Sequence, residues 1–228
     1  MILDLVKEMQ DEIPFYREAC LKNLFSWQEL EHLLNLRPFM NDARFKILND
    51  SYKKYHWTTA SWSTDNTAFP PSLIDEEIRN KMCYLIDCSR VNSKVNTVCK
   101  DLEKGMGGGV DAHIYFDLSI VDLHPFKIHW DKSHNCIVQI EGQTKWKIWY
   151  DKAVVDSVVG EFAFDRGLNH MSTHPKSPYI DVIMNPGDMV FVPAYHWHHA
   201  QSQTKRLSIS FPFSVKYINK EDRHWIKL

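Results

Sequence analysis

Several of the 12 histidines of this chain crowd into two short stretches, residues 124–134 and 196–199. The first stretch contains the motif His129-Trp130-Asp131. Residues two apart in a β-strand point to the same face, so the imidazole of His129 and the carboxylate of Asp131 would converge. Such a pair can provide two ligands of a metal site, although the same motif also occurs on surface strands that bind nothing. By itself the motif leaves both interpretations open.

Two blocks of sequence have recognisable spacings, one that continues from this motif to Gly142 and one at residues 187–199. Asn135 comes six residues after His129, and Gly142 comes seven residues after Asn135. The second block, residues 187–199, has five residues between its glycine and its proline, and His198 lies five residues beyond that proline. These blocks resemble the two signature motifs of the cupin superfamily. Within it they are most similar to the JmjC-type oxygenases, a family that includes the asparaginyl hydroxylase acting on hypoxia-inducible factor.

The resemblance covers about residues 110–213 and implies both a fold and a metal. The implied fold is mainly β with N-terminal helices, a double-stranded β-helix of the cupin or jelly-roll type. The implied ligands of Fe(II) are His129, Asp131 and His198, a set that leaves positions on the iron for a bidentate co-substrate and dioxygen. His199 remains the alternative to His198, because a turn is expected just before both residues.

The resemblance also implies that 2-oxoglutarate is the co-substrate and that Asn135 hydrogen-bonds it. Relatives hold its distal carboxylate with a lysine fifteen residues after the first histidine and a Ser or Thr three residues before it. This chain has Thr144 and Phe126 at those positions. Burying a dianion without a cation is costly, so a positive group must come from elsewhere. Lys145 would provide it if the preceding turn shifted by one residue.

Arg206 is the stronger candidate for that positive group. Arg206-Leu207-Ser208 resembles the Arg-x-Ser element with which other 2-oxoglutarate oxygenases clamp the carboxylate. Arg206 and Ser208 alternate with apolar residues and therefore share one face of a predicted strand. In a simple sandwich that face would only meet solvent. Tyr115 is expected to reach the same cavity, because a tyrosine combines an apolar ring with a hydrogen-bonding tip.

The elements that must position these residues differ between the two halves of the chain. Up to about Lys104 the pattern is mainly helical. A capping box at Ser26 begins one helix, which ends before Pro38, and two more are predicted over 74–86 and 93–102. After Val110, short β-rich runs are predicted at residues 111–119, 126–131, 135–141, 145–150, 181–184, 189–193 and 206–213.

We expect these elements to form one domain, with a long loop covering its site. We expect a mainly helical part at 1–105, a barrel core at 106–216 and a C-terminal tail at 217–228. The polar segment 151–180 is predicted to be a long loop with little regular structure that covers the site. His134 is expected to be an exposed polar residue rather than a fourth ligand.

The composition is that of an ordinary globular protein, with 44% hydrophobic and 25% charged residues and a net charge of −2. It lacks the basic excess that favours nucleic acid as a partner. The apolar runs are far shorter than the roughly 20 residues that span a membrane, and five cysteines without a CxxC pair argue against a disulfide framework. We expect a cytoplasmic protein.

Motifs and composition together predict an Fe(II)- and 2-oxoglutarate-dependent oxygenase, specifically a hydroxylase. Its substrate, a protein side chain or a small molecule, is not identified by the sequence, and neither is an oligomeric state. Two alternatives stay open. One is an iron cupin dioxygenase that binds its organic substrate directly, without 2-oxoglutarate. The other is a non-enzymatic cupin that only binds a ligand, since a shared fold does not establish a shared activity.

Overall fold

A computed structural model describes residues 2–35, 45–47, 58–59, 82–118, 128–153 and 179–214. The helices in this part of the chain are α1 (Ile2–Met9), α2 (Trp27–Asn35) and α3 (Ser93–Met106). The strands are β1 (Phe15–Arg17), β2 (Phe45–Ile47), β3 (Thr58–Thr59), β4 (Met82–Leu85), β5 (His113–Asp117), β6 (His134–Glu141), β7 (Thr144–Lys152), β8 (Tyr179–Met184), β9 (Met189–Val192), β10 (His196–Ser202) and β11 (Arg206–Phe213).

These strands form two antiparallel sheets. The larger sheet has the order β1-β9-β6-β11-β5-β4-β2-β3, and the smaller one has the order β10-β7-β8. The two sheets pack face to face through a hydrophobic cluster in which Ile137 and Val190 of the larger sheet meet Trp146 and Ile148 of the smaller. This is a jelly-roll barrel, with the larger sheet extended beyond the smaller by β5, β4, β2 and β3.

The other face of the larger sheet packs on the helices. Leu207, Ile209 and Phe211 of β11 belong to a cluster that includes Leu30 of α2 and Leu102 of α3. Because side chains alternate along a strand, the intervening polar residues of β11 must point into the barrel. The helices therefore share one hydrophobic core with the larger sheet, and the polar residues of β11 point into the barrel.

Two of the predicted helix starts, after Ser26 and at Ser93, are present. Ser26 Oγ accepts a hydrogen bond from the backbone N–H of Glu29 at 3.3 Å and donates to its carboxylate at 2.9 Å, which is the capping box. Helix α3 ends four residues later than predicted, at Met106. Gly105 lies inside the helix, where the close approach of α1 requires a glycine, since a Cβ there would lie 2.5 Å from Val6 Cγ1. Gly107, with φ 75°, ends the helix.

The prediction of a helix over 74–86 is wrong where the structure describes it, since residues 82–85 form β4. All four residues of β4 are buried, and the strand pairs with β2 on one side and β5 on the other. Pairing on both edges outweighs the local helical pattern. The described part of the N-terminal half therefore contains four strands as well as helices, and residues 74–81 lie outside it.

Most of the strands predicted after Val110 are present, with two differences. Of the run predicted at 126–131, the structure describes 128–131, where only His129 pairs, in an isolated bridge with His198. Strand β10 was not predicted. The proposed loop over 151–180 is shorter at both ends, because β7 continues to Lys152 and β8 begins at Tyr179. Residues 154–178, and with them the predicted lid, lie outside the described residues.

None of the helices in the described ranges has both the length and the apolar character that crossing a membrane requires.

Candidate metal centre

His129, Asp131 and His198 converge at one point of the barrel wall. One ligand atom from each of the three lies within 4.8 Å of the others. His198 Nε2 is 3.5 Å from Asp131 Oδ2, and the two imidazole rings are 4.2 Å apart between centroids. In the part of the chain that the structure describes, no other group of His, Cys, Asp or Glu side chains is gathered in this way.

Backbone pairing brings these residues together. The N–H of His129 donates to the carbonyl of His198 at 3.0 Å, and the N–H of His198 donates back at 2.8 Å. Asp131 is held by a third bond, in which its carbonyl accepts from the N–H of Tyr195 at 2.7 Å. A register irregularity between His196 and His198 accompanies this arrangement. The three ligand candidates are thus fixed by two segments pairing at a bridge rather than by the regular strand that the sequence predicted.

The structure decides between the adjacent histidines. His198 is buried and faces Asp131, whereas His199 lies on the opposite face of β10, beside Lys147 of β7. Nδ1 of His198 is 2.9 Å from the carbonyl oxygen of His196. A carbonyl only accepts hydrogen bonds, so Nδ1 carries a proton, and Nε2 is the nitrogen that would bind a metal beside Asp131.

Asp131 is held in its charged form. Burial raises the pKa of this carboxyl, but the hydrogen bond with His198 and the charges of His198 and His129 outweigh it and lower the pKa to about 2. The carboxylate is therefore ionised at neutral pH. Two imidazoles and one carboxylate within reach of a single ion are the donor set that suits non-haem Fe(II), so these residues fit the metal that the resemblance implies.

A cavity of about 320 Å³ opens beside these residues. Its lining comes from both sheets: Met82, Tyr84, Ile86, His113, Tyr115, His129, Asp131, Asn135, Ile137, Trp146, His198, Ala200, Arg206, Ser208 and Ser210. Along β11, Ser210 lies near Asn135 and Asp131, and Arg206 lies four residues away, or about 13 Å at the rise of a strand. We call these two regions the metal end and the arginine end.

The arginine end is built around a buried ion pair. Arg206 Nε donates to the carboxylate of Asp117, which also accepts from the hydroxyl of Ser202. The other side of the guanidinium faces the cavity lining, with Nη1 3.4 Å from Thr144 Oγ1 and Nη2 3.0 Å from Met82 Sδ. Arg206 therefore lies inside the barrel, as the alternation of β11 predicted, but it already has a counter-ion.

Asp117 was missed by the sequence reasoning. The signal was present, because Asp117 comes two residues after Tyr115 and four after His113 on β5 and shares their face. Its Oδ1 has no hydrogen-bond partner within the described residues. Met82, Tyr84 and Ile86 were missed for another reason, since the segment that carries them was taken for a helix.

The alternative that Lys145 turns inward is contradicted. Side chains alternate along β7, so Thr144 is buried inside the barrel and Lys145 points outward, where its Nζ lies 3.2 Å from the Asp181 carboxylate. Thr144 instead donates to Gln139 Oε1 at 2.9 Å and approaches Arg206. Along β7 the alternation of buried and partly exposed positions begins with the buried Thr144, which pairs with Ser202 of β10.

The remaining predicted residues line the cavity. Ser208 faces inward between the two ends, and Tyr115 stacks on Tyr84 with 5.2 Å between ring centroids. Asn135 lies at the metal end, where its Nδ2 donates to Asp131 Oδ2 at 3.0 Å. The amide expected to bind the co-substrate is thus engaged with a metal-ligand candidate.

His134 is not exposed, contrary to expectation. It is 3% exposed, and its ring stacks on Phe191 and Phe213 at centroid distances of 6.0 and 5.5 Å. Its Nδ1 accepts a hydrogen bond from the N–H of Ala194 at 3.3 Å, which requires the neutral ring. Burial lowers the pKa of His134 to about 4. The residue supports β6 from the core side and does not join the metal end.

Comparisons with known proteins agree with this geometry. A family model described as "JmjC domain" matches residues 98–221, more than half of the chain. The bifunctional lysine-specific demethylase and histidyl-hydroxylase NO66 of Caenorhabditis elegans is 23% identical over 195 residues, 85% of this chain and 25% of that protein. NO66 of Drosophila persimilis is 21% identical over 193 residues, 85% of this chain and 26% of that protein. The chain thus spans about a quarter of the length of these relatives.

Solved structures resemble the fold. YcfD, a ribosomal oxygenase from Escherichia coli in complex with cobalt and succinic acid, superposes with a TM-score of 0.57 at 12% identity, over 91% of this chain and 49% of that one. YcfD in complex with cobalt and 2-oxoglutarate gives a TM-score of 0.55 at 13% identity, again over 91% and 49%. At such identities the likeness concerns the fold alone, and it confirms the expected jelly-roll barrel.

Proposed function

This chain belongs to the JmjC domain family, and we propose that it is an Fe(II)- and 2-oxoglutarate-dependent oxygenase that hydroxylates a protein side chain. The observation that carries the proposal is the convergence of two imidazoles and a carboxylate within 4.8 Å on the wall of a cavity that a buried arginine also lines. A metal with open positions at one end and a carboxylate-binding group at the other is what this co-substrate requires.

His129, Asp131 and His198 would hold the iron. Iron bound there would supply the activation of dioxygen, coupled to the oxidative decarboxylation of 2-oxoglutarate. The part played by the chain is to present its donors in the correct form. The His196 carbonyl keeps the proton of His198 on Nδ1, and the neighbouring imidazoles keep Asp131 ionised.

The arginine end would receive the distal carboxylate of 2-oxoglutarate. Arg206 would donate from the side that faces Thr144 and Met82, because its Nε is engaged with Asp117. The hydroxyl of Ser208 lies on the same inner surface and would add a neutral donor. Charge-assisted bonds from a planar guanidinium are directional, so they would also fix the orientation of the co-substrate.

A protein side chain is favoured as the substrate by the names of the relatives, which describe a histidyl-hydroxylase and lysine-specific demethylase, and a ribosomal oxygenase. Tyr84, Ile86 and Tyr115 also line the cavity, and they would accommodate a side chain with an apolar or flat part. The specific partner, the cytoplasmic location, the division into three parts and the likeness to the asparaginyl hydroxylase stay predictions.

Oxygen consumption by the Fe(II)-loaded protein, measured with and without 2-oxoglutarate, tests the proposal. We expect slow consumption that depends on 2-oxoglutarate and yields succinate, and a faster reaction when a protein extract supplies the substrate. Asp131→Ala should abolish both rates, and Asp181→Asn, on the outer face, should change neither. Consumption without 2-oxoglutarate, or none at all, would contradict the proposal.

One observation favours a second candidate, an iron cupin dioxygenase that does not use 2-oxoglutarate. The ion pair with Asp117 already neutralises Arg206, so the arginine end has no net positive charge to offer a dianion. If the Fe(II)-loaded protein binds no 2-oxoglutarate by calorimetry yet consumes oxygen with an organic substrate, this second candidate is the correct one.

A further inference from the structure

A chain of two hydrogen bonds leads outward from Asp131 to β11. Asn135 donates through Nδ2 to Asp131 Oδ2 at 3.0 Å, and Asn135 Oδ1 accepts from Ser210 Oγ at 3.2 Å. Asn135 and Ser210 are 7% and 5% exposed, and all three residues line the cavity. The carboxylate at the metal end is thus connected to the middle of the larger sheet.

The chemistry of these groups fixes the direction of the chain. An ionised carboxylate can only accept, so the amino group of Asn135 must face Asp131. The amide oxygen then points the other way and needs a donor, which the hydroxyl of Ser210 provides. A flipped amide would bring its oxygen against the carboxylate, so Asp131 itself sets the orientation of the amide. The serine hydroxyl donates to the amide oxygen and holds the Asn135 side chain in the position from which it reaches Asp131.

We infer that Asn135 and Ser210 are positioning residues for the metal centre, which orient the carboxylate of Asp131. The inference rests on the proposed function, and it differs from the co-substrate contact that the family resemblance implies for Asn135. The terminal torsion of an aspartate is broad, so its oxygens do not hold one orientation without an outer partner. Such partners tune how well a ligand binds its metal.

Ser210 is a fixed end for this chain of hydrogen bonds, because its strand is paired on both sides. It lies on β11 between β6 and β5, opposite Ile137 on one side and His113 on the other. Ser208 is a matched control, because it lies two residues earlier on the same face of the same strand and is also buried. Its register partner on β6 is Gln139, two residues further from Asp131. Removing either hydroxyl makes the same chemical change at a different distance from the metal end.

Co(II) binding to the whole chain tests the inference without any turnover. The metal is titrated into wild-type, Asn135→Ala, Ser210→Ala and Ser208→Ala proteins and followed by calorimetry and by the Co(II) absorption spectrum. Asn135→Ala should weaken binding about 10- to 100-fold, the usual range for outer partners of metal ligands. Ser210→Ala acts one bond further out and should weaken it about three- to tenfold. Ser208→Ala should bind Co(II) within about twofold of wild type, as expected of a group outside the chain of bonds.

Two further measurements separate positioning from a general loss of structure. The Asn135→Ala/Ser210→Ala double variant should bind no more weakly than Asn135→Ala alone, because the serine acts only through the asparagine. Ser210→Thr keeps the hydroxyl and should restore the affinity and the spectrum. Thermal unfolding of the metal-free proteins should not distinguish Ser210→Ala from Ser208→Ala.

The outcomes that overturn the inference are distinct from those that overturn the proposed function. An unchanged affinity in Ser210→Ala, an equal loss in Ser208→Ala, or additive losses in the double variant would each refute the chain of bonds while leaving the metal centre standing. A wild-type protein that binds no Co(II) would refute the metal centre, and this inference with it.

Discussion

The two ends of the cavity handle buried charge differently. At the metal end, the Asp131 side chain is 30% exposed and faces two imidazoles, so a cation from outside can complete the site. At the arginine end, Asp117 and Arg206 are 0% and 3% exposed and neutralise each other within the protein. An incoming dianion would therefore meet a neutral pair there. Its affinity must come from directional donors rather than from net charge.

The largest expected effect breaks the metal end. His198→Ala removes an imidazole whose Nε2 lies 3.5 Å from Asp131 Oδ2. We expect metal affinity to fall more than about a hundredfold, which is more than the loss of a residue that only supports a metal ligand would cause. Activity should become undetectable. His199→Ala is the matched control, because the adjacent imidazole lies on the outer face of β10 and should leave metal content at the wild-type level. Metal analysis of both variants decides whether the correct histidine is assigned.

Breaking the ion pair at the arginine end should cost stability. Asp117→Asn leaves Arg206 without a buried counter-charge, and the loss of one partner of such a pair costs about 3 to 5 kcal/mol in the free energy of unfolding. Asp181→Asn removes the partner of the partly exposed Lys145 and should cost less than about 1 kcal/mol. Urea unfolding of the two variants gives the comparison. Equal losses of stability would mean that the buried ion pair contributes no more than the partly exposed one.

The clamp itself is tested through co-substrate affinity. Arg206→Ala should weaken 2-oxoglutarate binding by about thirtyfold or more, the lower limit for truncating one partner of a buried charged pair. Arg206→Lys keeps the charge beside Asp117, so it should fold, yet it loses the planar fork and should also bind more weakly. Calorimetry with Lys145→Ala provides the control, which should stay within about twofold of wild type because Lys145 points outward. If only Lys145→Ala weakened 2-oxoglutarate binding, the carboxylate would be held by Lys145 on the outer face and not by Arg206.

Lowering the pH should destabilise the protein through the buried His134. The pKa of His134 is about 4 in the folded protein, below the value of about 6.5 for an unfolded chain. As pH falls from about 6.5 to 4, the unfolded state gains a proton that the folded state does not, so metal-free protein should lose about 2 to 3 kcal/mol of stability. His134→Phe keeps an aromatic ring between Phe191 and Phe213 and should remove most of that slope. His32→Phe, on the exposed side of α2, should retain it.

Local patterns predicted β5, β6, β7 and β11 because alternation is a property of neighbouring residues. The face of β11 that carries Arg206 and Ser208 was found in this way, and so was the inward direction of Tyr115. The same reasoning failed for residues 82–85, which are buried as a strand only because β2 and β5 pair with them. It also failed for His134, whose burial depends on two distant phenylalanines.

The sequence by itself determined the types and spacing of the metal-ligand candidates and the mainly β fold, and it favoured Arg206 over Lys145 as the cation for the co-substrate. Only the tertiary structure placed Arg206 in the cavity lining and paired it with Asp117. Asp117 and Arg206 are 89 residues apart, and no local pattern connects them. The bridge between His129 and His198 likewise fixes which of two adjacent histidines faces Asp131. Charge pairs and bridges join segments far apart in the chain, so their partners are chosen only when the sheets assemble.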